Sequence, residues 1–228
     1  MKKVEILVDV LDRLKKGKHL SEELMGMPDA YAIGKTYCSG FGAEIVAPGH
    51  VHHNGMEAVN LAELSGGISA RLEQVGAAWR RAGFTVNLYD DLWPVVWSKL
   101  VANVAFSAIC TVTGMRVGQV CANEWAFGIA LACVEEAVAV AAAKSIELSY
   151  DDPVRWVRDF AGKIPNARPS MYQDVRAGRR SEIDSIQGGV VAEGARLGIP
   201  TPTCALMVQL VKALEAKARA HGDAYEAL

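Results

Sequence analysis

The stretch WPVVWSKLVANVAFSAI, Trp93–Ile109, decides how this chain folds. Its positions are apolar on nearly every side of a 3.6-residue period, the pattern of a helix buried in a core. Asp90 or Asp91 can cap it, and Pro94 is tolerated in a first turn. From there onward the sequence predicts almost only helices: 92–112, 123–146, 153–162, 170–177, 182–197 and 203–219. Gly114, Gly188-Gly189, Gly198-Ile199-Pro200 and Pro202 mark several of the joints between them. Before Trp93 the texture differs. YAIGKTYC, AEIVA, HVHH and EAVNLAEL are strand-like, with Pro48-Gly49 and Asn54-Gly55 between them, which predicts an antiparallel meander over residues 31–64. Gly66-Gly67 opens a helix that Gly83 ends, and TVNLY reads as one more strand. Residues 4–14 carry one apolar stripe and predict a short amphipathic helix. The fold class is therefore mainly α: a small α/β piece, residues 1–90, precedes an all-helical piece, residues 91–228.

Composition narrows the possible roles. Half of the 228 residues are apolar (51%) and 22% are charged, which suits a chain with a large core and excludes a disordered one. A net charge of -2 with no continuous basic strip argues against nucleic acid and against an anionic membrane surface as partners. Five scattered cysteines without a C-x-x-C pair, and no signal-peptide pattern, point to reduced thiols and the cytoplasm. The longest apolar run, AFGIALACVEEAVAVAAA, is interrupted by Glu135 and Glu136. Two adjacent carboxylates suit a core helix better than a spanning one. That pair reads as balancing buried Arg or Lys rather than as catalytic.

Within the opening stretch, Lys99, Asn103 and Ser107 recur every four residues. Positions four apart share a helix face, with Cβ atoms about 6 Å apart. A buried ammonium is costly unless paired, and desolvation lowers its proton affinity until it can donate near neutral pH. The other reading of the stripe is a lysine snorkelling from a helix edge, with Asn103 and Ser107 bonded to backbone carbonyls. The residues alone leave both readings open.

SMYQDVRAGRRSEID, Ser170–Asp184, is the polar interruption in this helical half. Ser170 with Gln173 has capping-box spacing, Ser181 before Glu182 reads as a second N-cap, and Gly178 separates two short helices. The serines are caps on the plain reading. On the functional one, the helix starts present N–H groups to a carboxylate ligand, and Glu182 pairs with Lys99.

WSKLVAN (Trp97–Asn103), then the 170–184 stretch, then GIPTPT resemble, in order and spacing, the ketopantoate reductase (2-dehydropantoate 2-reductase) family. The resemblance reaches back through EIVAPGHVHHNG and covers residues 31 to 218. It implies a C-terminal helical domain like that of 6-phosphogluconate dehydrogenase, joined to the end of a Rossmann domain. It also implies NADPH-dependent reduction of ketopantoate, or a related 2-keto acid, to the 2-hydroxy acid, on the route to pantothenate. Carried over by motif, Lys99 is the general acid, Asn103 and Ser107 bind substrate, and Ser170 holds the substrate carboxylate. Glu182 serves beside the lysine, the substrate hydroxyl and the nicotinamide end of the cofactor.

Two departures stand out. The family usually has Asn where this chain has Ser107. A full member also opens with a G-x-G-x-x-G turn, which these 228 residues lack; Gly40 and Gly42 in SGFGAEI run into a strand rather than a helix. The family's later Asn-Gly cofactor turn falls on Lys16-Gly17. The resemblance therefore implies a reductase lacking most of its dinucleotide-binding half, with NADPH binding by the chain alone in doubt. Its expected partners are a second copy in a homodimer and a separate Rossmann-domain chain. The competing reading is a non-catalytic binding or assembly module. A metal site at His50, His52 and His53 lacks a nearby third ligand on the right face, so no metal is expected.

Overall fold

The computed structural model describes residues 36–39, 43–47, 49–53 and 58–221. The predicted 4–14 helix, Lys16-Gly17, Gly40, Gly42 and Asn54-Gly55 lie outside them. The chain divides into two compact units between Trp93 and Pro94.

In the first unit, β1 (Thr36–Ser39), β4 (Ala58–Glu63) and β5 (Thr85–Tyr89) form one sheet in the order β1-β4-β5. β2 (Ala43–Ala47) and β3 (His50–His53) pair antiparallel as a separate two-stranded sheet. The expected single meander is thus two sheets. β1 runs antiparallel to β4, with Thr36 opposite Glu63, whereas β5 runs parallel to β4, with Ala58 opposite Thr85. Parallel neighbours need a crossover, and α1 (Ala70–Arg81) is that crossover. Ser69 caps α1 by accepting the Leu72 N–H at 3.1 Å. Gly83 (φ +88°) turns the chain out, and Phe84 N donates back to Trp79 O at 3.2 Å. Val59, Leu61, Leu72 and Phe84 are the core. Glu63, buried beside them, accepts from Ser69 Oγ at 2.5 Å and pairs with Arg71, so its charge is compensated.

The second unit contains, among the described residues, α2 (Trp93–Thr113), α3 (Val117–Ala122), α4 (Glu124–Ala143), α5 (Pro153–Lys163), α6 (Ser170–Arg176), α7 (Gln187–Leu197) and α8 (Pro202–His221). The caps are local: Asp91 Oδ1 accepts from Trp93 N, Asn123 Oδ1 from Ala126 N, and Asp152 Oδ1 from Arg155 N, each at 2.9 Å. Two elements differ from the sequence expectation. α3 is an extra single turn-and-a-half, and residues 182–186 are turns rather than the first part of α7.

α2 and α4 are both long and apolar enough to cross a membrane by length and composition. In this fold α2 buries Val101, Ala105, Ala108 and Cys110 in the core that α4 joins through Phe127, Ala130, Val134 and Ala137. Its outer side leaves Trp125 and Ile129 exposed. Among the described residues Glu136 does not balance a cation, as the sequence suggested it would. Its two carboxylate oxygens accept the N–H groups of Thr203 and Cys204, while Glu135 is exposed.

Candidate functional site

The polar stripe on α2 runs from solvent into the core. Lys99 is exposed, Asn103 is half-buried and Ser107 is buried at 4% exposure. The expectation of a desolvated Lys99 ammonium is corrected by this arrangement. Trp97 and Val101 take the core face one turn apart, and Ser98 is drawn in by a 2.8 Å hydrogen bond with Ser149 Oγ. Lys99 is left on the outer side, exposed to solvent. Among the described residues neither Lys99 nor Glu182 forms an ion pair, and Glu182 is exposed. At Ser107 the helix core buries a hydroxyl where an apolar side chain could sit.

Ser170 is the first residue of α6, exposed, with Pro169 at the cap position and no side-chain cap bond. The expected capping box is therefore not formed. Gln173 Nε2 instead donates to Arg168 O at 3.3 Å, which leaves the Ser170 hydroxyl without a capping task. The start of α6 is positioned by the loop before it. Arg168 Nη1 donates to Gly114 O at 2.7 Å, just past the end of α2, and its guanidinium lies 4.3 Å from the centre of the Tyr172 ring. Val117 N donates to Ala167 O at 3.1 Å and Gly118 N to Pro165 O at 2.8 Å. A Cβ at Gly118 would lie 3.0 Å from Pro165 O, so glycine permits this close approach.

The charges of the 170–184 stretch are mostly consumed within it. Arg179 pairs with Asp174 at 2.7 Å, and Asp184 with Arg180 at 3.2 Å and Lys212 at 2.6 Å. The hydrogen bond from Lys212, then that from Arg180, holds the Asp184 carboxyl below its usual range against its own desolvation. Ser181 caps a turn rather than a helix, since its Oγ accepts from Ile183 N at 3.3 Å. Its backbone N–H donates to Glu215 Oε1 at 2.7 Å.

Two residues here escaped sequence reading. Glu215 is buried on α8, within a run that reads as an ordinary Ala-Leu-Glu-Ala helix. Gln187 is wholly buried, and its Nε2 donates to Val104 O on α2 at 3.1 Å. The only sequence signal was a long polar side chain between Ile186 and Gly188 where a core position was due.

A family model described as "Ketopantoate reductase PanE/ApbA C terminal" matches residues 91–215, which holds every one of these side chains. The chain belongs to the ketopantoate reductase family. Among curated relatives, the 2-dehydropantoate 2-reductase of Streptococcus pyogenes serotype M18 is 30% identical over 175 residues, 76% of this chain and 57% of that protein. The PanE/ApbA family ketopantoate reductase structure from Ralstonia eutropha JMP134 is 30% identical with a TM-score of 0.73, covering 82% of this chain and 60% of that one. D-mandelate dehydrogenase in complex with NADH is 25% identical with a TM-score of 0.73, covering 80% of this chain and 62% of that one. The chain thus spans about 57% of the length of the S. pyogenes reductase. As in this family's C-terminal domain, its second unit is all-helical, and the chemistry of the relatives is oxidoreduction.

Proposed function

We propose that this chain carries the substrate-binding, proton-donating half of a 2-dehydropantoate 2-reductase. One observation supports the reading: Lys99, Asn103, Ser107, Ser170 and Glu182, the residues that the motif resemblance assigns to the site, all lie within the span 91–215 that the family model matches. The substrate is a 2-keto acid, ketopantoate first among them. Ser170, freed from capping, donates to its carboxylate. Asn103 and Ser107 hydrogen-bond its oxygens from the α2 stripe. Lys99 holds a proton at the carbonyl oxygen as that oxygen gains charge, and Glu182 accepts from the resulting hydroxyl.

A bound nicotinamide supplies the hydride in such a reduction. The described residues do not fit a dinucleotide pyrophosphate. The glycine turn before α1 uses its N–H groups on Glu63 O (3.2 Å) and Asp90 O (2.7 Å), and Ser69 takes the helix start. The roles of this chain's residues are accordingly binding, orientation and proton holding. A second copy is the expected partner, because Trp125 and Ile129 leave α4 an apolar outer side.

Titrating the 228-residue chain with 2-dehydropantoate by calorimetry tests the reading. Binding that Lys99→Ala and Ser170→Ala each weaken by about ten-fold, the worth of one charge-assisted hydrogen bond, is the expected result. Equal affinity in the wild type and both variants would remove these residues from the site.

A further inference from the structure

Resting on that reading, we infer that Gln187 is a positioning residue that sets the Glu182 turn against the Asn103–Ser107 stretch of α2. Gln187 is wholly buried, yet only half of its amide is used. The Val104 carbonyl can only accept, so the nitrogen must face it at 3.1 Å. The other atom, Oε1, is buried and finds no donor among the described residues. A core position filled for packing alone would take Leu or Met and avoid an orphaned acceptor. What the glutamine adds is a fixed link between two segments 83 residues apart in sequence.

The link falls where the proposed chemistry needs registration. Val104 lies between Asn103 and Ser107 on α2, and Gln187 follows Glu182 by five residues. The intervening turn is tight: the Glu182 carbonyl accepts from Ser185 N at 3.0 Å and Ile186 N at 2.9 Å, and Ile183 O accepts from Gly188 N at 2.9 Å. Ile183 is fully buried beneath it. At the other end, Ser181 N is held by Glu215 Oε1 at 2.7 Å. Glu182 therefore stands on a backbone pinned on both sides, to α8 before it and to α2 after it, while its own carboxylate stays exposed. Its height relative to Asn103 is set through Gln187.

Gln187→Met and Gln187→Leu keep the volume while removing the donor and the orphaned acceptor together. The melting temperature is expected to stay within a few degrees of wild type, because an unpaired polar atom leaves with the bond. Amide exchange at Ser185, Ile186 and Gly188 should rise at least ten-fold, with exchange elsewhere in the helical unit unchanged. The affinity for 2-dehydropantoate should fall about ten-fold or more, as misplacement by an ångström does. Unchanged turn exchange and affinity in both variants overturn the inference. So does collapse of both variants, or an affinity loss that merely follows the melting temperature, since either makes Gln187 an ordinary core residue. If the wild-type chain does not bind 2-dehydropantoate while the turn loosens as expected, the substrate reading fails and the link stands.

Discussion

Glu136 reaches from the middle of α4 to cap another helix: its Oε1 accepts the backbone N–H of Thr203 at 2.7 Å. Oε2 accepts that of Cys204 at 2.8 Å. Pro202, ahead of them, has no N–H to satisfy, so one carboxylate serves the first two donors of α8. A side chain from α4 thus does what a local Asn or Asp does for α4 and α5.

Replacing it should be costly. Glu136→Ala leaves two helix-start donors unpaired beside the buried Cys204, and a loss of about 1–3 kcal/mol of stability is expected. Glu135→Ala, one residue away and exposed, should change stability by less than about 0.5 kcal/mol. Urea unfolding of the two variants side by side gives the comparison, and equal midpoints would contradict the cap.

Acid should loosen the contact between α4 and α7. The Glu193 carboxyl is held at about 2, against an ordinary 4.5, by hydrogen bonds from Arg196 and then Lys144. Its folded value lies below its unfolded one, so the pairing stabilises above about 4.5 and is lost as pH falls toward 2. Glu193→Gln should be less stable than wild type at pH 7, with the gap closing near pH 2. Melting temperatures across that range test it, and a gap independent of pH would assign the loss to packing.

Two glycines of one helix should respond in opposite senses. A Cβ at Gly194 would lie 2.8 Å from the Ile199 carbonyl oxygen and 2.8 Å from Thr201 Cγ2, whereas at Gly189 it meets nothing within 4 Å. Gly194→Ala is expected to destabilise by about 1–3 kcal/mol, more than the helix propensity of alanine (about 1 kcal/mol) returns. Gly189→Ala should stabilise by about 0.5 kcal/mol. Thermal denaturation separates the two outcomes.

The thiols should react in order of enclosure. Burial pushes Cys110 up to about 12, and hydrogen bonding to Cys133 together with burial raises Cys204 further. Cys121 is raised by burial as well, but it is only half-buried. Iodoacetamide at pH 8 should therefore alkylate Cys121 before Cys110, Cys133 or Cys204, as read by peptide mass spectrometry. Labelling of Cys110 at the rate of Cys121 would mean that the core around α2 opens in the native state.

The sequence by itself determined most of the helical unit and the identity of its polar side chains. Apolar periodicity, Asp and Asn caps and the glycine joints act within one or two turns, so α2, α4, α5 and α8 were legible one residue after another. The family motif was legible for the same reason, as spacing along the chain. Only the tertiary structure decided which of those side chains are enclosed. Lys99 faces outward because Trp97 and Val101 claim the core side of α2. Ser170 lacks the cap its sequence position suggested, and Glu136 supplies one that its position did not suggest. β5 lies parallel to β4 because α1 carries the chain across the sheet, which no two-residue periodicity encodes. Burial, pairing and capping across elements depend on neighbours 34 to 83 residues away, and those distances close only when the chain has folded.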